Sequence, residues 1–184
     1  MSLWPPSLSL FDPRFVISSF GGTWGGTVSC GSLSTPGSAA WPAANRAIYV
    51  PFRIANPVTV VKVWWVNGTT AASNVDIGVF TIDGAQISAI STGGGGGAGA
   101  AQSGTSVIQM YDITDFTFGP GVFYMGASMD GTSHMFRGAT GIQVLKVLGC
   151  AQQATAYVLP TAATLATVAS AYLPLFGLSC RATV

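Results

Sequence analysis

From Arg46 onward the chain alternates with a period of two, and turn dipeptides cut that alternation into short pieces. Ile48, Val50, Phe52 and Ile54 alternate with Ala47, Tyr49, Pro51 and Arg53. This is the pattern of a half-buried strand, because successive side chains of a strand point to opposite faces. Pro51 places that strand at an edge or a bulge, since proline has no N–H to give to a ladder. Asn56-Pro57, Asn67-Gly68, Asp83-Gly84, Gly119-Pro120-Gly121 and Asp130-Gly131 are turn signals. Between them, strands are expected at 58–66, 75–82, 85–91, 106–113, 122–128 and 134–137, with a last one at 175–184. Asp83-Gly84 and Asp130-Gly131 suit hairpin turns, and 142–148 suits a strand or a short helix. Trp64 and Trp65 are neighbours in one strand and point to opposite faces, so both faces of that strand should be covered. Only 162–172 otherwise hints at helix, a short one, through Leu165, Val168 and Tyr172. About eight short strands with regular turns predict an all-β fold, an antiparallel sandwich or jelly roll.

Composition supports strands over helices. The chain has no Glu, two Lys and 24 Gly among 184 residues, and Gly, Val and Thr are poor helix formers. Charged residues make up 7% of the sequence, against about a quarter in an average soluble domain. A free monomer keeps itself soluble with interspersed charge. A chain with so little is expected to have its surface covered by neighbours. A net charge of +1 gives no field for nucleic acid, and no basic run or basic–aromatic pattern is present. The uncharged stretch 147–180 is broken by Pro160, Pro174, Gln152 and Gln153, so it reads as buried protein contact and not as membrane insertion.

Residues 1–45 differ from the rest. Five prolines, two Gly-Gly pairs and many aromatics mark an irregular, extended arm too rich in large apolar rings for an idle linker. It is expected to gain order by packing on something else, with Trp4, Phe11, Phe15, Phe20, Trp24 and Trp41 as partner-anchoring side chains. The sandwich is then expected over 46–184. The N-terminus lacks a basic segment followed by a long apolar core, so no signal peptide is expected. Cys30, Cys150 and Cys180 are odd in number and far apart, which suits neither a disulfide framework nor a zinc site. All three are expected as free thiols.

Candidate chemistry is thin. His134 is the single histidine, so a Ser–His–Asp site would have to use it. No G-x-S-x-G motif accompanies it, and a loop-end or strand role is expected. Asp112 and Asp115 could form a sugar-cleaving pair, but Asp at a strand end usually accepts bonds from nearby backbone. Asn74, Asp76, Asp112 and Asp115 are hard oxygen donors that would suit Ca²⁺, without a recognisable calcium loop. The glycines at 93–97 lack the Lys-Ser/Thr ending of a phosphate loop, and a flexible loop is expected there. Asn67-Gly68-Thr69 matches a glycosylation sequon, although without a secretory signal the machinery would not reach it. Tyr49, Trp64, Trp65 and Tyr124 could stack on sugar rings if exposed. No catalytic residue, metal or cofactor is expected, and the chain reads as a non-enzyme.

A set of phrases carries a family resemblance. They are Asn45-Arg46-Ala47-Ile48-Tyr49-Val50-Pro51-Phe52-Arg53, Val66-Asn67-Gly68, Asn74-Val75-Asp76-Ile77-Gly78-Val79-Phe80, Gln102-Ser103-Gly104-Thr105-Ser106, Asp112-Ile113-Thr114-Asp115, Pro120-Gly121-Val122-Phe123-Tyr124-Met125 and Tyr172-Leu173-Pro174-Leu175-Phe176-Gly177-Leu178. In that order, over residues 41 to 184, they resemble small virion proteins of tailed bacteriophages, either tail- and fibre-associated or head-decorating. The resemblance implies a β-sandwich displayed on a virus particle, assembled in the bacterial cytoplasm. Its partners would be copies of itself, as a trimer if fibre-like, and other virion proteins. It carries no catalytic residues. The alternative is a carbohydrate-binding module that recognises a host surface glycan.

Overall fold

A computed structural model describes residues 14–18, 37–93, 98–139 and 141–182. Antiparallel sheets pack face to face, and the protein is an all-β sandwich. One layer is a four-stranded sheet built from β1 (Arg14–Ser18), β4 (Val58–Val66), β8 (Ile108–Phe118) and β14 (Phe176–Ala182). Its spatial order is β1-β14-β4-β8. The second layer contains β3 (Ala47–Ile54), β5 (Asn74–Thr81), β6 (Gln86–Ser91), β7 (Ala100–Ala101), β9 (Gly121–Met129), β11 (Ala151–Gln153) and β12 (Ala166–Thr167). Its order is β12-β11-β3-β9-β5-β6, with β7 also on β5. A small sheet of β13 (Tyr172–Pro174), β10 (His134–Ala139) and β2 (Gly37–Ala40), in that order, closes one end. The short helix α1 (Ile142–Val147) settles the segment whose periodicity left strand and helix open.

Alternation explains the main core. Ile48, Val50 and Phe52 from β3, Val75, Ile77 and Val79 from β5, and Met125, Ala127 and Met129 from β9 face the four-stranded sheet. Val60, Val63 and Trp65 from β4, with Phe176, Leu178 and Cys180 from β14, meet them. Burial lifts the Cys180 thiol to about 12, so it stays protonated and acts as a small apolar side chain.

The other face of the large sheet is covered as well, so β3 is more than half-buried. Ala47, Tyr49 and Phe80 form a second cluster with Ala151, Ala156 and Leu159. The stretch 162–172, where the sequence hints at a short helix, packs Ala163 and Leu165 against this cluster and Val168 and Tyr172 into the main core. Instead its backbone amides are used by neighbours. Ala163 N donates to Gly84 O at 2.8 Å, and Thr164 N to Gln153 Oε1 at 2.8 Å. With those donors engaged elsewhere, no i→i−4 ladder forms.

Particular residues fix local geometry. Asp83-Gly84 does turn β5 into β6, with Gly84 at φ 85, a value few side chains tolerate. Asp130-Gly131 does not make a hairpin, because β9 and β10 belong to different sheets. Asp130 instead pins that corner, accepting from Asn74 N at 2.8 Å and from Asn74 Nδ2 at 2.6 Å. Pro51 sits where β3 runs past the end of β11, so its missing N–H breaks no ladder on that side.

Gly126 lies beneath the edge-to-face pair of Tyr49 and Phe80, whose centroids are 5.2 Å apart. A Cβ there would come within 2.9 Å of both rings. Gly126→Ala is therefore expected to lower stability by about 1–3 kcal/mol through overpacking. Urea unfolding monitored by tryptophan fluorescence checks this.

The sandwich reaches further back than residue 46. β2 pairs with β10 from Gly37↔Arg137 to Ala40↔His134. Trp41 is buried in the main core, 5.3 Å from Tyr172 edge-on, and its Nε1 donates to Arg46 O at 3.0 Å. Trp41 is thus an internal anchor of the sandwich and not a partner-facing residue of the arm.

Candidate interaction surface

The side chains with chemical potential are dispersed, and each has a local task. Asp76 is the most buried acid. It points to the back of the large sheet, beside Gly78 and Phe80, with 1% of its surface exposed. Its Oδ1 accepts from Thr92 Oγ1 at 2.8 Å, Gly93 N at 3.0 Å and Ser91 Oγ at 3.3 Å. Its Oδ2 accepts from Leu159 N at 2.8 Å. Burial pushes the Asp76 carboxyl above the usual carboxylate range, and these four bonds pull it partly back. The arrangement fastens the 91–93 turn and the covering segment around Leu159 to β5.

Asn74, Asp112 and Asp115, the other proposed cation ligands, are elsewhere. Asn74 is bonded to Asp130. Asp112 pairs with Lys62 at 2.8 Å and Asp115 with Arg181 at 2.6 Å, both exposed. Such surface pairs contribute about 0–1 kcal/mol each. Among the described residues, no three His, Cys, Asp or Glu side chains gather as a metal site.

His134 begins β10, and its Nδ1 lies 3.2 Å from Ser38 Oγ and 2.9 Å from Thr69 Oγ1. Those two hydroxyls are 3.0 Å apart, and Ser38 Oγ also accepts from Thr69 N. No described hydrogen bond or ion pair joins a carboxylate to this imidazole, so the trio ties β2 to the 67–70 turn without forming a triad.

Asn67 of the sequon is fully buried. Its Oδ1 accepts from Trp65 Nε1 at 2.7 Å and Gln102 Nε2 at 3.1 Å. Its Nδ2 faces Ser103 O, Gly104 O and Gln109 Oε1 at 2.9–3.0 Å. Gln102 Oε1 in turn accepts from Ser73 N and Ser133 Oγ. This network sets the loop that leads into β8, and it leaves no Asn67 nitrogen open to a glycan.

The proposed glycan-stacking residues are placed just as firmly. Tyr49 and Trp65 are wholly buried and present no ring face to a sugar. The Tyr49 hydroxyl donates to Gln153 Oε1 at 3.1 Å, and burial raises its pKa. Tyr124 is half-buried against the second cluster. Trp64 does point away from Trp65, as alternation requires, but only 9% of it is exposed. Of the arm residues, Trp4, Phe11, Phe20 and Trp24 lie outside the described residues. Phe15 is in β1, opposite Cys180.

Exposed large apolar residues also occur at Ile82, Val122, Val144 and Val147, but one group is contiguous along a strand. Val107, Ile108, Met110 and Tyr111 are all exposed, Ile108 by 60% and Met110 by 62%. Four of the five positions from 107 to 111 are thus large, apolar and wet. Val107 leads into β8 and the other three open it; β8 spans 11 residues and pairs only with β4 among the described strands. In register, Met110 lies beside Trp64, and Ile108 beside Val66. Edge strands are commonly protected by charge, Pro or brevity; β8 carries Asp112 and Asp115 in its middle, but its first four residues, 108–111, have no such guard. A strand at 106–113 was expected from the sequence, but its open edge was not. Exposed apolar residues lie on both of its faces, so alternation gave no sign of them.

Among the described residues, no helix is long and apolar enough to cross a membrane. Comparison with known protein families, with curated proteins and with solved structures finds no match to the chain.

Proposed function

We infer that this chain is a structural subunit of a larger protein assembly, and specifically a surface-displayed component of a bacteriophage virion. The observation that carries the reading is the exposed apolar strip at the start of β8, on a sheet edge whose charges, Asp112 and Asp115, come only after the strip. Exposed apolar patches on weakly charged proteins mark sites of protein contact. The charge census points the same way. Asp76 is buried, and Asp112 and Asp115 are taken up by Lys62 and Arg181. Arg137 lies over the Tyr172 ring at 5.4 Å. Among the described residues this leaves few exposed charges, such as Arg53, Asp83 and Lys146, to keep separate copies apart. The virion itself rests on the sequence phrases quoted above.

The arm has a matching role. Its strand β1 adds to the free side of β14, from Arg14↔Arg181 to Ser18↔Gly177. Main-chain pairing of this kind is how an extended segment attaches to a sheet edge. The glycan-binding alternative loses its named platform, since Tyr49 and Trp65 are inside.

Mass spectrometry and antibody labelling of purified particles test the reading. The chain is expected in the particles in many copies, at regularly spaced sites. Finding it in infected cells but not in purified particles would overturn the virion assignment.

A further inference from the structure

We propose that β8 pairs with β8 of a second copy, antiparallel about a two-fold axis through Gln109. The two four-stranded sheets then join into one. This inference rests on the assembly reading above and specifies the contact.

The main chain fixes which residues can take part. Val107 O accepts from Asn67 N at 2.9 Å, so the Val107 carbonyl faces β4. Backbone groups alternate sides along a strand. The N–H and C=O of Ile108 and Met110 therefore face the open edge. In an antiparallel pair, residues that exchange both hydrogen bonds must sit opposite each other. An axis through Gln109 puts Ile108 of one copy opposite Met110 of the other, which satisfies that requirement twice.

The same axis settles the side chains. Val107 of one copy faces Tyr111 of the other, and Gln109 faces itself. Every exposed apolar residue of the strip thus meets another apolar residue, as favourable cross-strand pairs do. An axis through Met110 would instead set Ile108 against Asp112, and one through Tyr111 would set Met110 against Asp112. With the axis at Gln109, the pairing covers 107–111 and ends before the bend at 104–106, so Asp112 and Asp115 lie outside it and like charges never face each other. Both acids already hold a cation from their own sheet, Lys62 and Arg181. The occupant that fits this edge is therefore the strand itself.

Sedimentation velocity of the full chain across micromolar concentrations, with hydrogen exchange on the same samples, is the test. Wild type is expected to self-associate. Met110→Lys is expected to weaken that association roughly a hundredfold, because two buried methionines per contact are lost. Met110 is largely exposed, so the variant should keep the wild-type circular dichroism spectrum and melting temperature. Val122→Lys alters an exposed apolar residue on β9, away from the strip, and should leave association unchanged. The amides of Ile108 and Met110 should exchange more slowly as concentration rises, while that of Gln109 should not respond. If Met110→Lys associates as wild type does, or the Ile108 and Met110 amides ignore concentration, the β8 contact is wrong and the assembly reading survives. A wild type that stays monomeric overturns both.

Discussion

Asp76→Ala is expected to destabilise the protein by about 3–5 kcal/mol. The carboxylate is buried, and its removal strands the N–H of Leu159, while the N–H of Gly93 keeps only its 3.1 Å bond to Ser91 Oγ. A buried donor left without a partner costs about 1–3 kcal/mol. The hydroxyl of Thr92 suffers less, since it also lies 3.2 Å from Val75 O. Asp76→Asn should cost about 1–3 kcal/mol, because the amide can keep the acceptors at one oxygen position but not at both. Hydrogen exchange should show the Leu159 amide opening first, since that bond alone holds the covering segment to Oδ2.

The pH dependence has a definite sign. Burial holds the folded-state Asp76 pKa above the value in the unfolded chain. The folded state therefore binds the proton more readily, and stability falls as pH rises through the raised value. Below the unfolded-state value the contribution is complete. The stability gap between wild type and Asp76→Asn should accordingly be wider in acid than at neutral pH. Denaturant titrations of both proteins at several pH values would show it, and a gap that narrows in acid would contradict the assigned direction.

Asn67→Ala should have a similar effect, about 3–5 kcal/mol. One amide serves two donors and three acceptors, drawn from β4, the 101–105 loop and β8. Asn67→Asp is expected to be worse than Ala despite its shape. It turns an N–H₂ group into an acceptor facing Ser103 O, Gly104 O and Gln109 Oε1, and it buries a charge with no cation beside it. The consequences extend to the surface. Gln109 is held by this network, accepting from Ser103 N at 2.8 Å and donating to Ala101 O at 2.8 Å. Loosening it should blur the geometry of the β8 strip, so association should weaken along with stability. Thermal melts and sedimentation on the same Asn67 variants check both effects.

How far these features can be read from sequence depends on the range of the forces that make them. β4 is found where its apolar run predicts it, over 58–66. The Asp83-Gly84 hairpin also follows from local chemistry, because a positive φ suits glycine. The corner at Asp130 is different. The same dipeptide chemistry serves a crossover between sheets, and only tertiary pairing separates the two uses. Trp41 shows the same limit. Its proline-rich surroundings suggest an arm, yet its ring lies against Tyr172, 131 positions further along the chain. Asp76 looked like one of several oxygen donors. Its partners come from positions 91–93 and 159, which no local pattern joins. The interaction strip was hardest to foresee, because exposure depends on what the neighbouring strand leaves uncovered.

The central claim is that this sandwich works as a subunit among copies, and the mass of the full chain in solution tests it most directly. Sedimentation equilibrium across micromolar concentrations should give an average mass that rises above that of one 18.8 kDa chain. A mass that stays at one chain over the whole range would contradict it.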